Sequence, residues 1–280
     1  MRELLLNEKS LDGQFESMEA FYETLPVMSR NLKILQHSDM ILQKHSSLYK
    51  RKITPDFTLF DLQNKSGKVA PDQRDKVIFW KRQLSSLMRQ PPFWDVENDK
   101  SGDSLQEAAR RNTDVLSFLH ESYKDTIIHV SCGDEDCEVR SSVSTGHLAE
   151  GMFQRGYLDV VEYIRQKYQD GRVRTRYLDT ETNSIRLLEK LEMKELIEGL
   201  DRFDEAHTWK DITRDRFFDY KSYQPSAEKY NVFANSSFSD KSIDKFRCGQ
   251  HSQVRCFGYR EGDLFFVLRI ERDHSDSDHG

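Results

Sequence analysis

The stretch from Lys245 to Arg272 constrains this chain more than any other. Two apolar-rich runs flank Glu261-Gly262-Asp263. Glycine reaches positive φ without a Cβ penalty, so the tripeptide predicts a tight turn and the runs predict a β-hairpin. In the second run Leu264, Phe266, Leu268 and Ile270 alternate with Phe265, Val267, Arg269 and Glu271. A period of two turns the first set toward a core and brings the charged end of the second set into water or a groove. In the first run Arg255, Phe257 and Tyr259 share one face, and Val254, Cys256 and Gly258 share the other. Phe246-Arg247-Cys248 reads as a third strand beyond a turn at Gly249 to Ser252. The chain therefore has to end in a small antiparallel sheet.

That sheet is expected to gather Arg255, Arg260, Arg269, Arg272, Asp273 and His274 at one end. Guanidinium groups match phosphate, and an imidazole can donate a proton, so the cluster points to an anion site. Arg255 and Arg269 are the candidate phosphate ligands in catalysis and His274 the candidate proton donor. Tyr259, Arg260 and Arg272 are candidate substrate contacts. Arg174 and Arg176 join them from Arg172-Val173-Arg174-Thr175-Arg176-Tyr177-Leu178, which reads as a strand with a basic outer face. Aromatic and basic residues interleave between Trp209 and Tyr223, a composition suited to bases and phosphates of unpaired strands. The C-terminal quarter resembles the compact sheet of RelE-type ribonuclease toxins, which carry Arg, Lys and Tyr or His on the sheet surface. The resemblance implies RNA as substrate and cleavage without a metal.

Upstream the chain is expected to be helical to about residue 98 and mixed from residue 99 to its end, as two regions or as one continuous domain. After a short lead-in, Phe15, Met18, Phe21 and Tyr22 mark a first helix, capped by Asp12 or Ser17 and ended by Leu25-Pro26. Val27, Ile34, Ile41 and Leu48, with Met28, Leu35, Leu42 and Tyr49 beside them, predict a long helix over 27–50. Arg30-Asn31 and His37 lie on one edge of that stripe. Such a spacing resembles the motif of the helical ribonucleases called HEPN domains and would imply a catalytic Arg/His pair. Val77, Trp80, Leu84, Leu87 and Met88 predict a helix over 71–89. In the second part Asp103 or Ser104 opens a helix. Val115–Phe118, Thr126–Ser131 and Glu138–Val143 read as strands. Helices are predicted over 145–168 and 184–200, the latter with Leu187, Leu188, Leu191, Leu196 and Ile197 as its stripe.

Composition narrows the function classes. The chain carries 32% charged and 36% hydrophobic residues and a formal charge of −6. That balance excludes a global positive field, so any nucleic-acid contact has to come from a local patch. No apolar run approaches the roughly 20 residues of a membrane span, and Asn7-Glu8-Lys9 follows the first leucines too soon for a secretory signal. A Walker loop, a Gly-x-Gly-x-x-Gly turn and a Gly-x-Ser-x-Gly elbow are all missing from the sequence, which sets aside nucleotide-loop and serine-hydrolase chemistry. Cys132/Cys137 and Cys248/Cys256, with His251, fit no zinc-knuckle spacing, so thiols in a reducing compartment are expected and neither a metal nor a cofactor. The expectation is an α+β, cytoplasmic, nucleic-acid-directed effector, a metal-independent ribonuclease of toxin or defence type. The alternative is a non-catalytic protein-binding or scaffold module working through the same aromatic and basic surface. RNA or a protein is the expected partner, and no membrane.

Overall fold

A computed structural model describes residues 2–64, 74–75, 77–78, 81–82, 92–96, 102–118, 121–133, 135–178, 185–251 and 253–273. The fold is α+β, with helices in the N-terminal region and antiparallel strands at the C-terminal end. It comprises two units, Met1–Leu158 and Asp159–Gly280.

The first unit is built on β1 (Glu3–Asn7), which the sequence reading passes over as a lead-in. Leu4, Leu5 and Leu6 are buried without alternation, the pattern of a strand covered on both faces. Helix α1 (Met18–His37) follows, with the Ser17 hydroxyl accepting from Ala20 N at 3.1 Å. It leads to β2 (Ile41–Gln43), parallel to β1. After the hairpin of β3 (Lys52–Thr54) and β4 (Phe57–Thr58) come α2 (Leu59–Asn64) and α3 (Ser104–Arg111). Asp103 caps α3 as expected. Strand β5 (Val115–Ser117) lies on the other side of β1. β6 (Thr126–Cys132) and β7 (Glu135–Ser142) complete the order β2-β1-β5-β7-β6, in which only β6 runs antiparallel. Helix α4 (Thr145–Gln154) closes the unit.

Several boundaries differ from those expected. α1 runs through Pro26 instead of ending there. Interior proline costs about 3 kcal/mol, but Phe21, Tyr22, Leu25 and Met28 are all buried around it, each worth about 1.5–3 kcal/mol. Packing wins. The same helix stops at His37, where Asp39 turns left-handed (φ 51°), so Ile41 and Leu42 belong to a strand and not to a helix over 27–50. The helix predicted over 71–89 lies largely outside the described residues; Val77, within it, is helical and buried. The division expected near residue 98 is crossed by the β1–β5 pairing, and the first unit extends to Leu158.

The second unit opens with α5 (Val160–Lys167), capped by Asp159. A single helix over 145–168 does not form, because Gly156 takes φ +70° between α4 and α5. β8 (Val173–Arg174), α6 (Lys190–Glu205), α7 (Trp209–Arg214), β9 (Lys221–Ser222), β10 (Ile243–Arg247), β11 (Arg255–Glu261) and β12 (Leu264–Glu271) follow. The sheet order is β8-β12-β11-β10-β9, with β8 parallel to β12 and the other pairs antiparallel. The β11–β12 turn is the one expected, with Gly262 at φ +61°.

Both faces of this sheet are packed. On one, Phe203 of α6 stacks on Phe246 with centroids 4.5 Å apart and meets Phe265 at 5.2 Å. On the other, Tyr223, Phe233, Phe257, Tyr259, Phe266 and Leu268 form a second cluster. The simple alternation expected of β12 fails at one place. Phe257 pairs with Arg269 but Gly258 pairs with Val267, which leaves Leu268 as an extra residue. A bulge of this kind shifts parity. Phe265, Val267 and Ile270 therefore lie on the α6 face, while Phe266, Arg269 and Glu271 lie on the other. The stripe expected on 184–200 also moves: Leu196 is buried as expected, but Leu187 and Leu191 are 68% and 62% exposed, and Leu200 and Phe203 are buried instead.

Candidate nucleic-acid interface

Ile243-Asp244-Lys245-Phe246-Arg247 forms β10, and strand alternation sends Lys245 and Arg247 to the face away from α6. The register then fixes their neighbours. One row across the strands reads Lys221, Lys245, Phe257, Arg269, and the next reads Arg247, Arg255, Glu271. Side chains directly opposite on antiparallel strands have Cβ atoms about 4.5–5.5 Å apart. Lys221 thus faces Lys245, and Arg247 faces Arg255.

Like charges in this position oppose folding. Two carboxylates stand among these cations. Lys221 Nζ bonds Asp219 at 3.0 Å, and Glu271, 1% exposed, lies opposite Arg255. Arg255 Nη1 reaches two carbonyls, Gln253 O at 3.3 Å and Val254 O at 3.5 Å. Arg247 Nε is buried with no hydrogen-bond partner among the described residues. Burial lowers the Arg255 pKa, and Arg247 lowers it further. Burial likewise lowers the pKa of Lys245, with Lys221 adding to the effect. Both shifts record cations held close to other cations in a partly dry site.

The residues singled out from sequence divide between the faces. Arg255 and Arg269 lie on the cationic face, and so does Tyr259. Tyr259 is 6% exposed and stacked on Phe266 (4.9 Å, 14°), so it is core and offers no open platform. Arg260 lies on the opposite face, 4.2 Å from the Trp209 ring centroid. Arg272 also leaves the cluster, donating to Glu192 at 2.9 Å and Glu189 at 2.8 Å on the α6 side. Parity alone separates them, since each stands one residue out of step with the cationic rows. The strand that was to align Arg172, Arg174 and Arg176 is only Val173–Arg174. Arg174 folds back onto the carbonyls of Gly171 and Asp170, and Arg176 lies over Tyr177 at 4.5 Å and Phe266 at 5.0 Å. His274 lies outside the described residues. Lys221, Lys245 and Arg247 were missed, although Lys245-x-Arg247 already carried the alternation that places two of them.

Two polar clusters of the first unit are hydrogen-bonded internally. Asn7 Nδ2 donates to Ser117 Oγ at 3.0 Å, Ser117 Oγ meets Ser141 Oγ at 2.7 Å, and Ser141 Oγ donates to the Tyr123 carbonyl at 2.7 Å. His147 meets Ser142 Oγ through Nδ1 at 3.0 Å and Arg140 Nη1 through Nε2 at 3.1 Å. Arginine can only donate, which makes Nε2 the acceptor and Nδ1–H the donor, so this imidazole does not act as base toward Ser142. Arg30 and His37 are seven residues apart on α1, about 10 Å along the axis. Between them Asn31 is buried and bonds the Val143 carbonyl, while His37 is exposed at the helix end. That geometry gathers no catalytic pair. Among the described residues no group of three or more His, Cys, Asp and Glu side chains is placed to hold a metal, and the four cysteines are free thiols. No family model, curated protein or solved structure matches the chain.

Proposed function

We propose that the chain binds nucleic acid through the cationic face of the second unit's sheet, in a cytosolic setting. The observation that carries this reading is the pair of like-charged cross-strand contacts, Lys221–Lys245 and Arg247–Arg255, side by side on one face. A sheet evolved for stability alone gains nothing from such pairs. Lys245 is 4% exposed and adds its charge from beneath the surface, while a polyanion on this face can take charge-assisted hydrogen bonds from Lys221 and the half-buried Arg247 and Arg255. Phosphate backbones supply that charge in a regular array, and the array need not carry sequence information.

Cleavage of bound RNA is the second reading. It is favoured by Arg255 and Arg269 lying on one face of the sheet. In that reading Arg255 and Arg269 hold phosphate, the 2′-hydroxyl attacks it and gives its proton to water, and His274 protonates the leaving 5′-oxygen. The test is to incubate the purified chain with labelled single-stranded RNA and DNA, with a chelator present. Retarded bands with intact probe support binding alone. Shortened RNA ending in cyclic phosphate, lost in His274→Ala while binding persists, supports the ribonuclease. Failure to retard either probe at low salt rejects both and favours the protein-binding alternative.

A further inference from the structure

Beside the cationic rows the same face carries a recess of about 360 Å³. Tyr177, Val232, Phe238 and Leu268 line it, and Ser236, Ser237 and Arg269 are its polar members. Arg269 belongs to both places, since it also ends the row Lys221, Lys245, Phe257. The recess is therefore contiguous with the site proposed for phosphate.

The lining is chemically specific. Tyr177 is 40% exposed and Val232 36% exposed, so apolar and aromatic surface stands open next to a charged patch. Tyr177 and Phe238 meet at 5.4 Å with planes tilted by 57°, which leaves an aromatic corner instead of a closed stack. Arg176 lies 4.5 Å from the Tyr177 ring centroid and fixes that ring from one side. The side chain of Ser237 makes no hydrogen bond to any described residue and is exposed at the recess. Small-ligand pockets span about 300–1,000 Å³, so this one is at the small end and suits one flat heterocycle. A π-face against Tyr177 and Phe238, a hydroxyl within reach of a polar edge and a guanidinium for the attached phosphate are what a single nucleotide offers.

We infer that this recess takes one unstacked nucleobase, which makes the interface a reader of single-stranded nucleic acid. The inference rests on the cationic face binding the backbone. A base inside a duplex is stacked on both sides and cannot enter, whereas a splayed base stacks freely on aromatic side chains.

Fluorescence anisotropy of the full chain with three labelled probes tests it: a single-stranded RNA, the corresponding RNA duplex, and linear polyphosphate. The single strand is expected to bind about tenfold tighter than the duplex, the order set by one stacked base. Val232→Trp, which fills the recess, and Tyr177→Ala, which opens it, are each expected to remove that preference. Both are expected to leave polyphosphate binding unchanged, which also shows that the variants fold. Equal affinity for strand and duplex in the wild type overturns the inference. So does a single-strand preference that survives both variants. In either case polyphosphate binding that is lost in Arg255→Ala keeps the cationic interface standing. No binding of any probe overturns both.

Discussion

Arg247 and Arg255 stand opposite each other on β10 and β11, a like-charged pairing of the kind that opposes folding. Their strands are held by main-chain pairing whatever the side chains do, so the repulsion is tolerated as long as the rest of the sheet is well packed. Removing one of them relieves it. Arg255→Ala is expected to raise or leave unchanged the urea midpoint while weakening single-stranded RNA binding roughly tenfold, the order of one charge-assisted contact. A large loss of stability would mean that Arg255 is structural. His147 gives a different residue-scale prediction, in the first unit. Burial holds its pKa below 6.5, with Arg140 acting in the same direction against the pull of Asp125. The unfolded chain therefore takes the proton first, and the stability tied to neutral His147 is present above pH 6.5 and lost as pH falls below it. Urea midpoints measured near pH 7.5 and near pH 5.5 should differ less in His147→Gln than in the wild type. An equal difference in both would remove His147 from the account.

At the scale of elements, α6 seats on the sheet through glycine. A Cβ at Gly199 would overlap the carbonyl of Cys248, the residue just after β10. Gly199→Ala is therefore expected to push α6 off Phe246 and Phe265 and to cost about 1–3 kcal/mol, as overpacking does. A urea midpoint equal to wild type would show that the helix tolerates the shift. The same elements show what could be read in advance. β11, β12 and their Gly262 turn were legible because alternation and turn chemistry agree there. The bulge at Leu268 was not, since it inserts one residue without changing composition, and it moved Arg269 and Phe266 onto one face. β1 was obscured because a strand buried on both faces has no period to detect. α1 was misdivided because proline reads as a stop, and the apolar stripe that overrides it is a tertiary effect. On the cationic face, Arg255 and Arg269 were named from the sequence. Arg260 and Arg272 were displaced from it by parity, and Lys221, Lys245 and Arg247 entered through cross-strand register, which local sequence does not state.

Across the whole molecule the formal charge is −6, so no net field draws in a polyanion, and screening confines charge interactions to the Debye length, about 10 Å at 0.1 M salt. Binding then has to come from the local rows, and it should be short-ranged and steeply salt-dependent. The direct measurement is the slope of log affinity against log salt for single-stranded RNA. It is to be compared in the wild type, in Arg247→Ala/Arg255→Ala and in Arg260→Ala. Each lost phosphate contact on a single strand flattens the slope by about 0.7. The double variant should therefore be shallower by about 1.4, and Arg260→Ala, on the opposite face, should match the wild type. An Arg260→Ala slope as shallow as that of the double variant, or a wild-type chain that does not bind at low salt, would contradict the claim that this sheet face is a nucleic-acid interface.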